Sequence, residues 1–274
     1  MKANSIFVAS DNEEIAVTTY TPDAGSIVGT IIYAHGFKGF KDWGFVPHIG
    51  EYLSKRGFVT VTFNFSHNGI GPNPLEFTEE DKFSRNTFSR EIRELSEIIA
   101  ACGQGEFGAS GDIGVLGHSR GGGIALLTAV NEPTVKAVVT WSAVSTFNRY
   151  SDQMKRAWRE KGYFEVANKR TGQIMRLNTT LLDDIEAHGN STLSIEKAVT
   201  GLKKPLLIIH GGEDEAVPFA DAERLRNWAD DSLTEFLCVE KTGHTFGAVH
   251  PFTGSNEKLE ATLSKTVEFF TKHI

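Results

Sequence analysis

Three short stretches of the sequence contain side chains that could act together in nucleophilic catalysis. Ser119 lies inside "GHSRGG", with Gly117 two residues before it and Gly121 two residues after it. A stretch with three carboxylates, "GGEDEAV", comes later in the chain, and "TGHTF" follows it. A serine hydroxyl is a weak nucleophile unless a histidine takes its proton, and a carboxylate holds that histidine in the required tautomer. The order serine, acid, histidine therefore favours Ser119 as a catalytic nucleophile.

The glycine spacing around Ser119 has a steric reason. The apolar run "DIGVL" precedes the serine and "GIALLTAV" follows it, which is typical of a buried strand, a tight turn and a helix. Such a turn leaves no room for side chains at Gly117 and Gly121, and we expect a strained backbone at Ser119. The alternative is a serine that serves the turn alone.

Each candidate stretch follows an apolar run that is typical of a buried strand. "PLLII" precedes the carboxylates, "TEFLCVE" precedes the histidine, and "IVGTIIYA" precedes a further small-residue turn, "HGFKGF". In open α/β sheets, ligands bind at the carboxyl ends of the strands. The sequence therefore predicts that these four turns meet at one edge of a sheet.

The alternation of strand and helix patterns extends over most of the chain. Two short alternating segments at the N-terminus predict an antiparallel pair, and residues 66–83 are expected to form a long loop. Apolar residues spaced three and four apart predict a helix from Phe88 to Ile99. The fold class is α/β, with a mostly parallel central sheet flanked by helices on both faces.

Residues 145–200 interrupt this alternation and are more polar. They predict a helix ("SDQMKRAWREKG"), a hairpin ("YFEVAN", turn "KRTG", "QIMRLN") and one or two short helices. We interpret 145–200 as a small inserted cap over the strand ends, and 1–144 with 201–274 as the core. Long insertions in compact domains are usually functional, although an excursion with no role at the site is the alternative.

Composition excludes several classes of partner. The 274 residues carry a formal net charge of −7 without a block of lysine or arginine, which argues against nucleic acid and anionic membrane surfaces. Cys102 and Cys238 predict two free thiols in a reducing compartment. No signal peptide and no apolar run long enough to span a bilayer are recognised, so a cytoplasmic enzyme is expected. Neither a metal nor a cofactor is expected, and the oligomeric state stays open.

The four turns together resemble the α/β-hydrolase superfamily. "HGFKG", "GHSRGG", "HGGEDEAVP" and "TGHTF" carry the resemblance, which covers nearly the whole chain. Within the superfamily, the chain is similar to small capped esterases of the cinnamoyl (feruloyl) esterase and dienelactone-hydrolase-like groups. It implies the α/β-hydrolase fold with a nucleophile elbow at Ser119. It also implies a serine hydrolase that cleaves small carboxylic esters through an acyl-enzyme, some of them with an aromatic acyl group.

The resemblance also selects the base and the acid. His244 stands where these enzymes carry their catalytic histidine, and His250 in the same loop is the alternative, favoured as a loop anchor. The pattern His-Gly-x-x-Asp-x-x-Val-Pro selects Asp214 as the carboxylate that orients the histidine. Glu213 and Glu215 remain as alternatives that we expect to be solvated or to lie outside the first layer of contacts.

Two backbone N–H groups are candidates for the oxyanion hole. The N–H after the nucleophile, on Arg120, is one, and the resemblance implies that the second belongs to Phe37. The Arg120 side chain could bind a carboxylate on a substrate or form a salt bridge with an acid of the protein. We favour the salt bridge.

Substrate-binding side chains are predicted at His67, Trp158 and Tyr163. His67 follows the strand pattern "FVTVTFNF", and the other two belong to the inserted segment. Further aromatic residues that could complete an apolar pocket are Phe37, Phe40, Trp43, Phe45 and Phe164. Ordinary core packing would explain these rings equally well.

Several other functions share the same turns. A prolyl-oligopeptidase-like peptidase usually carries an extra large domain, for which this chain has no room. A thioesterase or a lipase would use the same three residues, and a catalytically silent binding protein could keep the fold. Dehalogenase and epoxide-hydrolase chemistry would require an aspartate in place of Ser119.

Overall fold

The apolar runs form the strands that the sequence predicts. The computed structural model describes residues 1–23, 25–168 and 171–274. The strands in these ranges are β1 (Lys2–Val8), β2 (Glu14–Tyr20), β3 (Gly29–Ala34), β4 (Phe58–Phe63), β5 (Ile113–His118), β6 (Val135–Trp141), β7 (Tyr163–Ala167), β8 (Ile174–Asn178), β9 (Leu206–Gly211) and β10 (Thr234–Val239).

Eight of these strands form one sheet in the order β1-β2-β4-β3-β5-β6-β9-β10. β1 with β2 and β2 with β4 are antiparallel, and the remaining pairs are parallel. The strands β3, β4, β5 and β9 are buried at every position, as expected where helices cover both faces. The mostly parallel sheet predicted from the sequence is therefore confirmed.

Helices cover both faces of this sheet. The α-helices of the described residues are α1 (Val46–Ser54), α2 (Glu80–Ser84), α3 (Phe88–Gly103), α4 (Arg120–Ala129), α5 (Asp152–Lys161), α6 (Thr179–His188), α7 (Ile195–Gly201), α8 (Phe219–Trp228) and α9 (Glu257–His273). In β3, Ile32 packs into an apolar cluster with α3, α4 and α8, whereas its neighbour Tyr33 packs with α1 and α9. Successive strand side chains point to opposite faces, so the core has two layers.

One element differs from the prediction. The segment 66–83 was expected to be a loop throughout, but α2 begins within it at Glu80 and contacts β8. An isolated bridge between Ile70 and Phe77 also tightens this segment. None of the helices described here has the length and apolar character needed to cross a membrane.

The segment 145–200 contains α5, an antiparallel hairpin of β7 and β8, and the helices α6 and α7. Two residues of its predicted turn, Lys169 and Arg170, lie outside the described residues. Its helix α6 contacts α3, and α7 contacts α4 and α8. Trp158 and Leu182 belong to the same apolar cluster as the core helices. The boundaries of the cap stay a prediction.

Candidate active site

Ser119 occupies the turn between β5 and α4. Its backbone has φ +58° and ψ −122°, a region that non-glycine residues rarely adopt and that stores strain. A Cβ on Gly117 would lie 2.3 Å from the carbonyl oxygen of Gly121, and a Cβ on Gly121 would lie 2.3 Å from that of Ala34. The strained serine and the steric need for both glycines agree with the sequence-based expectation.

His244 and Asp214 are joined by a hydrogen bond. The Nδ1 of His244 donates to Oδ2 of Asp214 over 2.7 Å, and Oδ1 accepts from the backbone N–H groups of Ala216 and Val217, each over 2.9 Å. Burial by itself would raise the pKa of Asp214, but hydrogen bonds from His210, His244 and Val217 outweigh it and hold that pKa well below its usual range. The carboxylate therefore stays ionised beside the imidazole.

The alternative acids and the alternative histidine lie elsewhere. Glu213 and Glu215 are exposed, whereas Asp214 between them is buried. The Nδ1 of His250 accepts a hydrogen bond from the Gly44 N–H over 2.8 Å. The structure thus brings Asp214 rather than its neighbours to His244, and it ties His250 to the loop that follows β3.

Two buried histidines hold the loops around Ser119. The Nε2 of His118 donates to the carbonyl oxygen of His244 over 3.0 Å, and Nδ1 of His35 donates to the carbonyl of Gly36 over 2.9 Å while Nε2 accepts from the Phe65 N–H. Burial lowers the pKa of His118 to about 3 and that of His35 to about 4. Both rings are therefore neutral, and each N–H fixes a backbone carbonyl.

A cavity of about 360 Å³ lies beside Ser119 and His244. Its walls come largely from the loop after β3, the loop after β10 and the residue that follows β7. The lining residues are Tyr33, His35, Gly36, Phe37, Lys38, Gly39, Phe40, Trp43, Val46, His118, Ser119, Asn168, His244, Thr245 and His250. The rings of Phe37, Phe40 and Trp43 give it a partly aromatic wall.

The three predicted substrate-binding side chains do not line this cavity. His67 is buried with its Nδ1 2.8 Å from the Ser66 hydroxyl, and Trp158 packs in the apolar cluster against Phe164. Tyr163 carries two cationic side chains over its ring. A large apolar ring gains more from full burial than from a half-exposed pocket wall, which explains the position of Trp158.

Three of the rings that the sequence analysis proposed for an apolar pocket, Phe37, Phe40 and Trp43, do line the cavity, together with residues that it did not name. Thr245 directly follows His244, and Asn168 directly follows β7. The sequence could have indicated them, because Asn168 follows a predicted strand and Thr245 follows a predicted catalytic residue. Lys38 is a further wall residue, and its Nζ donates to the carbonyl of Ala167 over 3.1 Å.

The two predicted oxyanion-hole donors belong to two segments that meet near Ser119. A Cβ on Gly36 would lie 2.8 Å from Cβ of Ser119, so the chain leading into Phe37 passes in contact with the serine. Among the described residues, the Phe37 N–H donates no hydrogen bond. Arg120 is the first residue of α4, where N–H groups lack partners inside the helix.

The Arg120 side chain forms the salt bridge that we favoured. Its Nη2 donates to Oε1 of Glu91 in α3 over 2.5 Å. The side chain of Glu91 has no exposed surface, and that of Arg120 is 10% exposed. The guanidinium is therefore engaged inside the protein.

Comparisons with known proteins agree with this fold. Residues 43–274 match the prolyl oligopeptidase family, and none of the curated proteins matches the sequence. The chain is similar to the esterase domain of a Rhodothermus marinus protein, with 19% identity, a TM-score of 0.67 and coverage of 100% of this chain and 99% of that one. It is also similar to Est1E from Butyrivibrio proteoclasticus, with 17% identity, a TM-score of 0.70 and 98% coverage of both chains.

A dienelactone hydrolase from Anabaena variabilis is a third similar structure, with 17% identity, a TM-score of 0.66 and coverage of 100% and 98%. Identities this low show a shared fold, whereas the family match spans most of the chain. The chain therefore belongs to the prolyl oligopeptidase family and is a serine hydrolase with the α/β-hydrolase fold.

Proposed function

We propose that the protein hydrolyses carboxylic esters with Ser119 as nucleophile, His244 as base and Asp214 as the orienting acid. The observation that carries the proposal is the 2.7 Å hydrogen bond between His244 and Asp214, beside the cavity that Ser119 and His244 both line. Because Asp214 occupies Nδ1, the other imidazole nitrogen is left to take a proton from the serine.

The proposed reaction has two halves. The Ser119 hydroxyl attacks the ester carbonyl and passes its proton to His244, and the tetrahedral intermediate places its negative oxygen between the backbone N–H groups of Phe37 and Arg120. His244 then protonates the leaving alcohol, and an acyl-enzyme remains. A water molecule then attacks the acyl carbonyl as His244 takes its proton, and His244 returns that proton to the Ser119 oxygen as the bond to the acyl group breaks and the acid leaves. The low pKa of Asp214 keeps it negative, which stabilises the imidazolium in both halves.

The cavity supports an aromatic group on the substrate. The half-buried rings of Phe37 and Trp43 line it, with Phe40 fully buried behind them, and offset or edge contacts between rings add to the gain from burial. One of the similar structures is Est1E with bound ferulic acid, at 18% identity. We propose that an aromatic acyl group of an ester occupies the corresponding space here.

A fluorophosphonate probe and a substrate panel test the proposal. We expect the probe to label wild-type protein at Ser119 and not the Ser119→Ala variant, and hydroxycinnamate esters to be cleaved faster than short alkyl esters. Absence of labelling in folded wild-type protein would support the silent binding protein instead. Faster cleavage of a prolyl anilide or of a thioester than of any ester would assign the same residues to a peptidase or a thioesterase.

A further inference from the structure

The guanidinium of Arg120 lies among two aromatic rings and one carboxylate. Its central carbon is 4.7 Å from the ring centroid of Phe37 and 5.5 Å from that of Phe88. Its Nη2 donates to Glu91 over 2.5 Å, and Nδ2 of Asn86 donates to the same carboxylate oxygen over 2.7 Å. The side chain of Arg120 thus connects α3 to the loop that follows β3.

Stability does not explain this arrangement. Nε of Arg120 and Oε2 of Glu91 are both buried, and neither has a hydrogen-bond partner in the described part of the chain. A buried ion pair repays the loss of hydration only when its remaining polar atoms are satisfied, and apolar replacements of similar size are often as stable. The pair therefore has a cost that some other property must offset.

The contact with Phe37 provides such a property. The guanidinium lies over the Phe37 ring, and the ring of Phe83 stacks with Phe37 at a centroid distance of 5.7 Å. In the backbone just before Phe37, Gly36 lies against Ser119. The carbonyl oxygen of Gly36 accepts hydrogen bonds from the Gly39 N–H and from Nδ1 of His35. Contacts therefore hold both the ring of Phe37 and the residue before it, and they limit how the Phe37 peptide N–H can turn.

We propose that Arg120 is a positioning residue, whose guanidinium, anchored by Glu91, holds the Phe37 ring and thereby sets the spacing of the two oxyanion-hole N–H groups. The inference rests on the proposed function. One of these N–H groups belongs to Arg120 itself and the other to Phe37, so a single side chain spans both halves of the hole. Donors must lie within about 2.7–3.1 Å of the developing oxyanion, and a displacement of about 1 Å can cost roughly a hundredfold in rate.

The decisive variant replaces the ion pair by apolar side chains. The Arg120→Met/Glu91→Leu double variant removes both charges of the pair, so neither is left buried without its partner, and we expect it to fold. We expect kcat on an activated ester to fall by about ten- to a hundredfold, while KM changes by less than about twofold. Arg120→Lys, which keeps a cation near Glu91 and the ring, should recover most of the loss.

A transition-state analogue separates positioning from a general structural defect. A trifluoromethyl ketone adds to the nucleophilic serine and places an oxyanion in the hole, so its affinity should fall in parallel with kcat/KM. Arg90→Met is the matched control, because Arg90 precedes Glu91 in α3 and pairs with Asp11 and Glu94 instead. We expect wild-type kcat and inhibitor affinity for that variant.

Two results in the folded double variant would overturn the inference. One is a wild-type kcat. The other is a raised KM with unchanged kcat, which would mean that Arg120 contacts the substrate. If the double variant does not fold, Phe37→Leu decides, since it keeps the N–H and removes the ring: we expect the same loss, and wild-type kcat would overturn the inference. Wild-type protein that neither reacts with fluorophosphonate nor cleaves esters would contradict the proposed function itself, and the inference with it.

Discussion

At Ser119 the hydroxyl does not hold the turn by a hydrogen bond. Among the described residues it makes none, and the positive φ is a strain that alanine would share. We expect Ser119→Ala to leave the melting temperature unchanged or slightly raised, while kcat on an activated ester falls by about three or more decades.

The same loss is expected for His244→Ala, and the Ser119/His244 double variant should lose little more than either single variant, because groups that act as one unit are not additive. Melting curves and rates on the three variants measure this. A double variant that loses the product of the two single losses would contradict a joint role.

The dependence of the rate on pH follows from the neutral form that a histidine base requires. We expect kcat/KM to rise with pH between about 5 and 8. His118 and His35 add no second step in this range, because burial lowers their pKa values to about 3 and about 4. A profile measured with an activated ester that stays flat down to pH 5 would exclude a histidine base.

Gly121 tests the steric argument for the elbow. Its missing Cβ would lie 2.3 Å from one backbone oxygen and 2.5 Å from another, so we expect Gly121→Ala to lower both stability and labelling by fluorophosphonate. Gly103→Ala in α3 is the control, since the added Cβ would meet only an ordinary contact at 4.0 Å and helix propensity favours alanine. Equal melting temperatures for the two variants would refute the crowding described at the turn.

Among the elements, α3 receives part of its N-terminal capping from the inserted segment. Asp184 of α6 accepts hydrogen bonds from the Ser89 N–H over 3.0 Å and from its hydroxyl over 2.5 Å. We expect Asp184→Ala to lower the free energy of unfolding by about 1–2 kcal/mol, measured by urea denaturation. The neighbouring Asp183 pairs with Arg159 on the surface, and its alanine variant should cost less than about 0.5 kcal/mol. Equal losses would contradict a capping role.

The elements also show what the sequence could predict. The hairpin of β7 and β8 follows from two short β-rich segments, and α3 follows from its apolar spacing, because both patterns are local. The helix α2 was missed, since five residues are too few for a periodic pattern and an isolated helix of that length is unstable; contact with β8 holds it.

The same limit applies to the candidate site. Ser119, Asp214 and His244 were selected from strand ends and spacing, and the structure brings the last two into contact. The acid that pairs with Arg120 could not be named, because Glu91 is 29 residues away and meets it only through the packing of α3 against α4. That His67, Trp158 and Tyr163 lie away from the cavity could not be predicted for the same reason, since the wall of a cavity depends on how separate loops come together.

For the whole molecule, buried histidines set the response of stability to acid. Burial lowers the pKa of His35 and of His67 to about 4 and that of His118 to about 3, whereas an unfolded histidine titrates near 6.5. Between about pH 6.5 and pH 4 the unfolded chain therefore binds more protons than the folded protein, and the free energy of unfolding falls as the pH falls. Burial raises the pKa of Glu91 and Glu94, which opposes part of this loss.

We expect the melting temperature to drop steadily from pH 7 to pH 5. His67→Gln should reduce this slope, because it removes one group that binds a proton only after unfolding; each such group contributes up to about 1.4 kcal/mol per pH unit in the window. Thermal scans at matched ionic strength measure both slopes. Parallel curves for the variant and the wild type would show that folding does not change the proton binding of His67, and would contradict its lowered pKa.

The apolar cluster that joins the inserted segment to the core helices has a mechanical consequence. A rigid swing of this segment would withdraw Phe147 from the ring of Phe88, on which it stacks at 4.0 Å, and Ile195 from Gly123 of α4, at a cost of about 1.5–3 kcal/mol for each large side chain exposed to water. Hinge opening of that kind would be a rare excursion, close to partial unfolding, in which the amides of β7 and β8 would exchange with solvent together with those of the core. The shared cluster thus keeps the inserted segment in place. We expect substrate to reach Ser119 through movements of single side chains rather than through movement of the whole segment.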